Sequence, residues 1–407
     1  MTGKKQIAVD AALNVVATAI PLCLLQLVIL PMMASDMSAH DYGLVVTTLS
    51  IFNILPGVFG NVLNNVRLVF QNRYDEEGVS GDFNAILICS SFICSTACMI
   101  LLVIFGTSDL VSLFLMFIAS FCWISREYFL VAFRIKINYL KILVCNIVQT
   151  VGYLLGYGLF LVTHQWVFVY LLGQGLSLVY ILCESDLHRE PCKTTFLFKD
   201  VLSSAGALSL SQFLSKFMAY SDRILLFPLL GGGAVGIYYI SSLMGKIVSM
   251  AVTPINGVML TYLSKRNTAN RPQRAFWTAM LSALTVCIFS YLAVIVFGRS
   301  VLAFLYPSYV DKAMVFLPIT SITAFLYILI SVAQPFTLKY YSMKWQVVIN
   351  GATCAAYVLL GLLLLSKLGL MGFCVGALTS NFLKLLIMLG VYVFLKPDSK
   401  SLTYKHE

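Results

Sequence analysis

The chain of 407 residues is 60% hydrophobic and only 11% charged, with a mean hydropathy of +0.90. Soluble domains carry about a quarter charged residues, so this composition excludes a soluble enzyme and specifies a polytopic membrane protein. The net charge of +10 falls mostly in short connections between apolar runs, where it sets topology and meets lipid headgroups rather than nucleic acid.

Lys4 and Lys5 precede an apolar run from Ala11 to about Met33. That run is too long for a signal-peptide core and lacks a small-x-small cleavage site, so it reads as the first span. Further spans follow at roughly 42–66, 83–105, 109–131, 142–163, 166–184, 201–230, 236–263, 276–298, 313–338, 346–366 and 370–395, twelve in all. With the N-terminus inside, nineteen of the 27 Lys and Arg fall on inner segments, among them Arg67, Arg134 and Lys141. Only Arg299, Lys312 and Lys367 fall outside, so both termini are expected in the cytoplasm. No connection is long enough for a soluble domain; the inner loops Gln71–Asp82 and Ser264–Arg274 read as solvated connectors. The eleven cysteines are scattered without metal spacing and read as small buried hydrophobes. Two halves are expected, 1–200 and 201–407. A faint parallel repeat sets Gly43 on Gly236.

Polar residues inside the spans carry the functional signal. In the second span Asn53, Gly57, Asn61 and Asn64 follow one helical face beside Pro56, a kink position. Such a face either packs helices together or lines an aqueous path. Between Val201 and Leu263 four charges interrupt the apolar runs: Lys216, Asp222, Arg223 and Lys246. An ionisable group at the bilayer centre costs on the order of 3 kcal/mol, so such groups face cavities. Lys216 and Arg223 are seven residues apart, on nearly the same helix face, and Ser209 and Gln212 extend that stripe.

Lys384 is a further cation near mid-depth, whereas the spans hold only Asp222, Glu127 and Glu184 as counter-charges. The excess of positive charge suits an anionic group such as a phosphate. Lys246 and Lys384 either join that site or snorkel to an interface. Arg126 and Glu127 are either buried or mark the cytoplasmic edge of the fourth span. Asp222 has only apolar residues three or four positions away, so its partner is expected from another helix, which makes it a proton- or cation-sensitive candidate. All four histidines fall in loops or the tail, and no metal spacing, nucleophile elbow or phosphate-binding loop is present. No cofactor is therefore expected, and transport would be passive or coupled to H+ or Na+.

The run Asp222-Arg223-Ile224-Leu225-Leu226, followed by Gly232-Gly233-Ala234-Val235-Gly236-Ile237-Tyr238, resembles polysaccharide flippases of the MOP superfamily, the Wzx-type translocases of O-antigen and capsule repeat units. His40-Asp41-Tyr42-Gly43, Tyr306-Pro307-Ser308-Tyr309 and Leu368-Gly369-Leu370-Met371-Gly372-Phe373 agree with it. The resemblance implies an all-α polytopic fold of about twelve helices in two six-helix bundles around a central cationic cavity. It implies a place in the bacterial cytoplasmic (inner) membrane and a cargo of undecaprenyl-pyrophosphate-linked oligosaccharide, moved to the outer leaflet by alternating access. Polysaccharide polymerase and chain-length proteins would be partners. Lys216, Arg223 and Lys246 would hold the pyrophosphate and Asn53, Asn61 and Asn64 the sugar hydroxyls, with Asp222, Glu127, Arg126 and Lys384 as coupling groups or charge partners. Lipid-II flippases of the superfamily carry two extra helices, so the span count argues against that branch. A cation-coupled multidrug-type exporter on the same fold is the alternative, favoured by acidic rather than basic lumen residues. A polysaccharide polymerase or ligase would carry a large outer loop, and the longest one here is Arg299–Lys312.

Overall fold

An apolar run in lipid can satisfy its backbone N–H and C=O groups internally only as a helix or a closed barrel. The computed structural model describes residues 13, 16–107, 109–265, 272–340 and 343–394; for 250–265, 272, 275, 335, 338–340, 343–347 and 394 it describes the backbone alone. Among the described residues the chain is helical, with no strand. Ten helices there are long and apolar enough to cross a bilayer. Two of them are interrupted by a non-helical glycine: Gly231 (φ 77°, ψ 171°) within Phe198–Lys265, and Gly369 (φ 60°, ψ −142°) within Met343–Phe394. Side chains rarely adopt these backbone angles, which is why glycine stands at both turns. At Gly369 the chain folds back on itself, since the Tyr357 and Phe373 rings lie 5.9 Å apart and a Cβ on Gly376 would sit 2.9 Å from the Gly361 Cα. Taking each arm as its own span gives the twelve read from the sequence. The protein is a multi-pass membrane protein.

The topology-setting residues Lys4, Lys5, Arg266, Arg271, Lys396, Lys400 and Lys405 lie outside the described residues, as does most of the connection Ser264–Arg274.

The chain forms two compact units, Met1–Gly233 and Ala234–Glu407. They divide one helix beyond the boundary expected at 200/201. The arm 198–230 packs with the helices before it: Val201 and Ala205 join a buried core with Val58, Phe83, Ile124 and Tyr128. Further along, the Phe227 ring lies 5.1 Å from Phe105 and 5.5 Å from His40.

Within the first unit the second predicted span runs from Ala39 to Glu77 in two pieces, Ala39–Ile54 and Pro56–Glu77. Leu55 (φ −86°, ψ −77°) is the break, because proline at the next position removes an amide donor and crowds the preceding turn. Small residues then let backbones approach: a Cβ on Gly60 would sit 2.6 Å from the Glu127 Cβ.

The segment Gln71–Asp82 is solvated in part, with Asn72, Arg73 and Asp75–Gly78 exposed, but it is not the plain connector expected. Helix continues to Glu77, and Asp82 is fully buried, accepting hydrogen bonds from the Thr195 amide (2.6 Å) and from the hydroxyls of Thr195 and Tyr74. Polar groups at this end of the bundle find partners on the connection 185–197 rather than in water, something that loop composition does not reveal.

In the second unit, Thr320 donates to the Ser241 carbonyl (2.9 Å), and Phe276 stacks on Tyr392 at 3.8 Å with Phe336 edge-on at 5.3 Å.

Candidate functional site

A cavity of about 440 Å³ opens inside the first unit, and all of its lining residues come from that unit. Among the described residues its charged lining consists of Arg126, Arg134 and Arg223 against a single carboxylate, Glu127. Around them lie seven amides, Gln26, Asn53, Asn61, Asn64, Asn65, Asn146 and Gln149, and the rings of Trp123, Tyr153 and Tyr220. The break at Leu55 separates the helix that carries Asn53 from the helix that carries Asn61, Asn64 and Asn65, yet both face this one space.

Arg126 is buried, which decides between the two sequence readings of the Arg126-Glu127 pair. Each of its three guanidinium nitrogens has a partner. Nη1 pairs with Glu127 (2.5 Å), Nη2 donates to Asn146 and Gln149, and Nε lies 3.3 Å from the Ser177 hydroxyl. Gln149 then donates to the Tyr153 hydroxyl (2.9 Å), as does Gln174 (3.1 Å). A buried cation costs several kcal/mol unless paired and hydrogen-bonded, and this network supplies both.

Arg223 is also buried, with Nη1 donating to Ser50 at 2.8 Å. Among the described residues Asp222 meets its partner on its own helix, where the sequence reading expects one from another helix. Its carboxylate accepts the Arg223 amide at 2.9 Å and lies 4.0 Å from Arg223 Nε. The side chain folds back along the backbone, which an i+3/i+4 count does not consider. Asp222 does not line the cavity.

Of the other predicted site residues, Asn53, Asn61 and Asn64 line the cavity and the lysines do not. Lys216 is exposed; its ammonium lies 5.8 Å from the centre of the Tyr220 ring, and the Arg223 guanidinium lies 5.7 Å from the same ring. The predicted shared helix face is thus real, with Tyr220 between the two cations. Lys246 and Lys384 belong to the second unit, Lys246 lying 5.2 Å from the Tyr239 ring centre and Lys384 half-buried. Sequence reasoning missed Arg134, which the charge bias treats as a topology signal, together with Asn146, Gln149 and Tyr153. The last three recur at helical spacing along an apolar span, the same signal that exposed the asparagine face. Among the described residues no cluster of His, Cys, Asp and Glu could hold a metal ion.

No protein-family profile matches the chain, and no curated protein matches it. Solved structures do. The lipid II flippase MurJ in an inward closed conformation superposes with a TM-score of 0.71 at 14% identity, over 97% of this chain and 88% of its own. The chain shares its fold with these membrane proteins. An inward-facing multidrug resistance MATE family transporter of the MOP superfamily gives 0.63 at 13% identity, covering 92% and 97%. The eukaryotic MATE transporter AtDTX14 gives 0.54 at 18%, covering 98% and 97%. At these identities the likeness shows the fold, and the chemistry must come from the cavity.

Proposed function

We propose that the protein is a flippase for undecaprenyl-pyrophosphate-linked oligosaccharide repeat units in a bacterial cytoplasmic membrane, serving O-antigen, capsule or exopolysaccharide synthesis. The observation that carries this reading is the cavity lining: three guanidinium groups against one carboxylate, surrounded by amides. Guanidinium forks match phosphate oxygens, and amides offer both donors and acceptors to sugar hydroxyls. The apolar lipid tail would remain in the bilayer while the headgroup crosses. Cells depleted of the protein should accumulate complete lipid-linked oligosaccharide in the inner leaflet while synthesis of the repeat unit stays normal. Repeat units that reach the outer face and stay unpolymerised would replace this reading with a polymerase.

A second reading, a cation-coupled exporter of small organic molecules, is favoured by one observation. Glu127 places a carboxylate at the cavity wall, and its fold is shared with multidrug transporters.

A further inference from the structure

The three cavity arginines are held differently. Arg126 has all three guanidinium nitrogens engaged, one of them with Glu127. Arg223 sits beside Asp222. Arg134 meets neutral groups: its Nη1 donates to Asn64 Oδ1 (2.5 Å) and Asn65 Oδ1 (3.0 Å). Among the described residues no carboxylate lies within salt-bridge distance of Arg134, Glu127 acting on it only at longer range, and Nε and Nη2 meet no acceptor.

The asparagines around it are oriented from behind. Asn64 Nδ2 donates to the main-chain carbonyl of Glu127 (2.8 Å), which turns its Oδ1 towards Arg134. Asn65 Nδ2 donates to Asn61 Oδ1 (2.8 Å), which turns the Asn65 Oδ1 the same way. An amide has one acceptor and one donor end, so these two bonds fix which end the arginine meets. Two dipoles thereby grip Nη1 without cancelling the charge. The edge left over, Nε with Nη2, is the planar pair of donors that matches two oxygens of a phosphate.

We infer that Arg134 is the anion-binding side chain of this cavity, taking a phosphate or diphosphate oxygen pair on its Nε–Nη2 edge, and that Asn61, Asn64 and Asn65 are positioning residues for it rather than sugar contacts. The inference rests on the flippase reading for the identity of the anion. Arg126 supports the wall, and Arg134 meets the ligand.

The test uses the full chain in lipid nanodiscs, with inorganic pyrophosphate and farnesyl pyrophosphate as free and lipid-borne diphosphates, titrated calorimetrically at several salt concentrations. Losing a charge-assisted bidentate contact should weaken binding by Arg134→Gln about tenfold to a hundredfold, and Arg134→Lys should recover part of it. Asn65→Asp is nearly isosteric and keeps the acceptor towards Arg134 but loses the Nδ2 bond to Asn61, so the Asn61 amide must turn its donor end to the new carboxylate. With the fold confirmed by its melting curve, the carboxylate neutralises Arg134 and binding should fall as it does for Arg134→Gln. A purely structural role for Asn65 predicts unchanged binding. Preference for the farnesyl compound would identify a lipid headgroup, and equal binding of both a free phosphate species; either supports the anion site. Wild-type affinity in a well-folded Arg134→Gln protein would overturn the inference while leaving the flippase reading intact. Wild-type protein that binds neither diphosphate would overturn both. Arg134-dependent binding in a protein whose depletion leaves lipid-linked oligosaccharide unchanged would sink the flippase reading alone.

Discussion

Arg67 and Glu190 form a bidentate ion pair, with Nη2–Oε1 at 2.7 Å and Nη1–Oε2 at 3.0 Å, although they are 123 residues apart in sequence. The Arg67 guanidinium also lies 5.2 Å from the Tyr74 ring centre and 5.0 Å from that of Phe83, and its side chain is only 3% exposed. The same connection is tied down twice more. Asn84 donates to the Glu190 carbonyl (2.9 Å), and Asp82 accepts the Thr195 amide. A segment expected to be a loop between two halves is thus bound into the first unit through buried polar contacts.

Removing one partner of such a pair leaves an uncompensated buried charge, which typically costs about 3–5 kcal/mol. Glu190 retains some exposure, so Arg67→Leu should cost near the lower end of that range. It should appear as a marked drop in thermal stability of the purified protein and in membrane abundance. Arg67→Lys should recover only part, since an ammonium cannot make the planar fork. A wild-type melting curve for Arg67→Leu would mean that the contact contributes little.

The sidedness of the membrane gives the second prediction. If the charge asymmetry sets topology, Glu77 faces the cytoplasm and Lys312 the outside. Both are exposed and lie at or beyond the end of a span, so neither substitution disturbs packing. In a cysteine-free background, Lys312→Cys should react with an impermeant maleimide in intact cells, and Glu77→Cys only after the membrane is opened. The reverse pattern would invert the assignment of both termini.

The spans were legible because a bilayer demands about twenty apolar residues per crossing, and that length requirement is written directly in the chain. Arg223 and the Asn53–Asn64 face were legible for the complementary reason, since polar groups in an apolar run must face something other than lipid. Arg134 was not. An arginine just beyond a span satisfies the topology rule whether it touches headgroups or turns into a cavity, and only the amides of Asn64 and Asn65 distinguish the two. The lysines failed in the opposite direction. Lys216 shares the Tyr220 ring with Arg223 yet stays exposed, because helical phase places a residue on a face without saying what that face meets. The pairings of Asp82 with Thr195 and of Glu190 with Arg67 were hidden for a third reason: those partners lie more than a hundred residues away, and no local pattern encodes such a pairing.

Glu127 separates the two transport readings. It is the one carboxylate among the described residues that line the cavity, and Glu127→Gln keeps an acceptor for Arg126, whose bonds to Asn146, Gln149 and Ser177 remain. The variant should therefore fold. In a flippase the lost negative charge had opposed the anionic headgroup. Its removal should tighten diphosphate binding by roughly tenfold, from about 1–2 kcal/mol of Coulomb energy at an effective dielectric near 20 over about 10 Å. Polysaccharide export should continue, and binding should fall more steeply with added salt. In a proton-coupled exporter the same carboxylate is the natural proton carrier, so Glu127→Gln should abolish transport driven by a pH gradient in proteoliposomes. Measuring diphosphate affinity, export and gradient-driven efflux on one well-expressed Glu127→Gln protein decides between them. Unchanged diphosphate affinity together with lost efflux would favour the exporter.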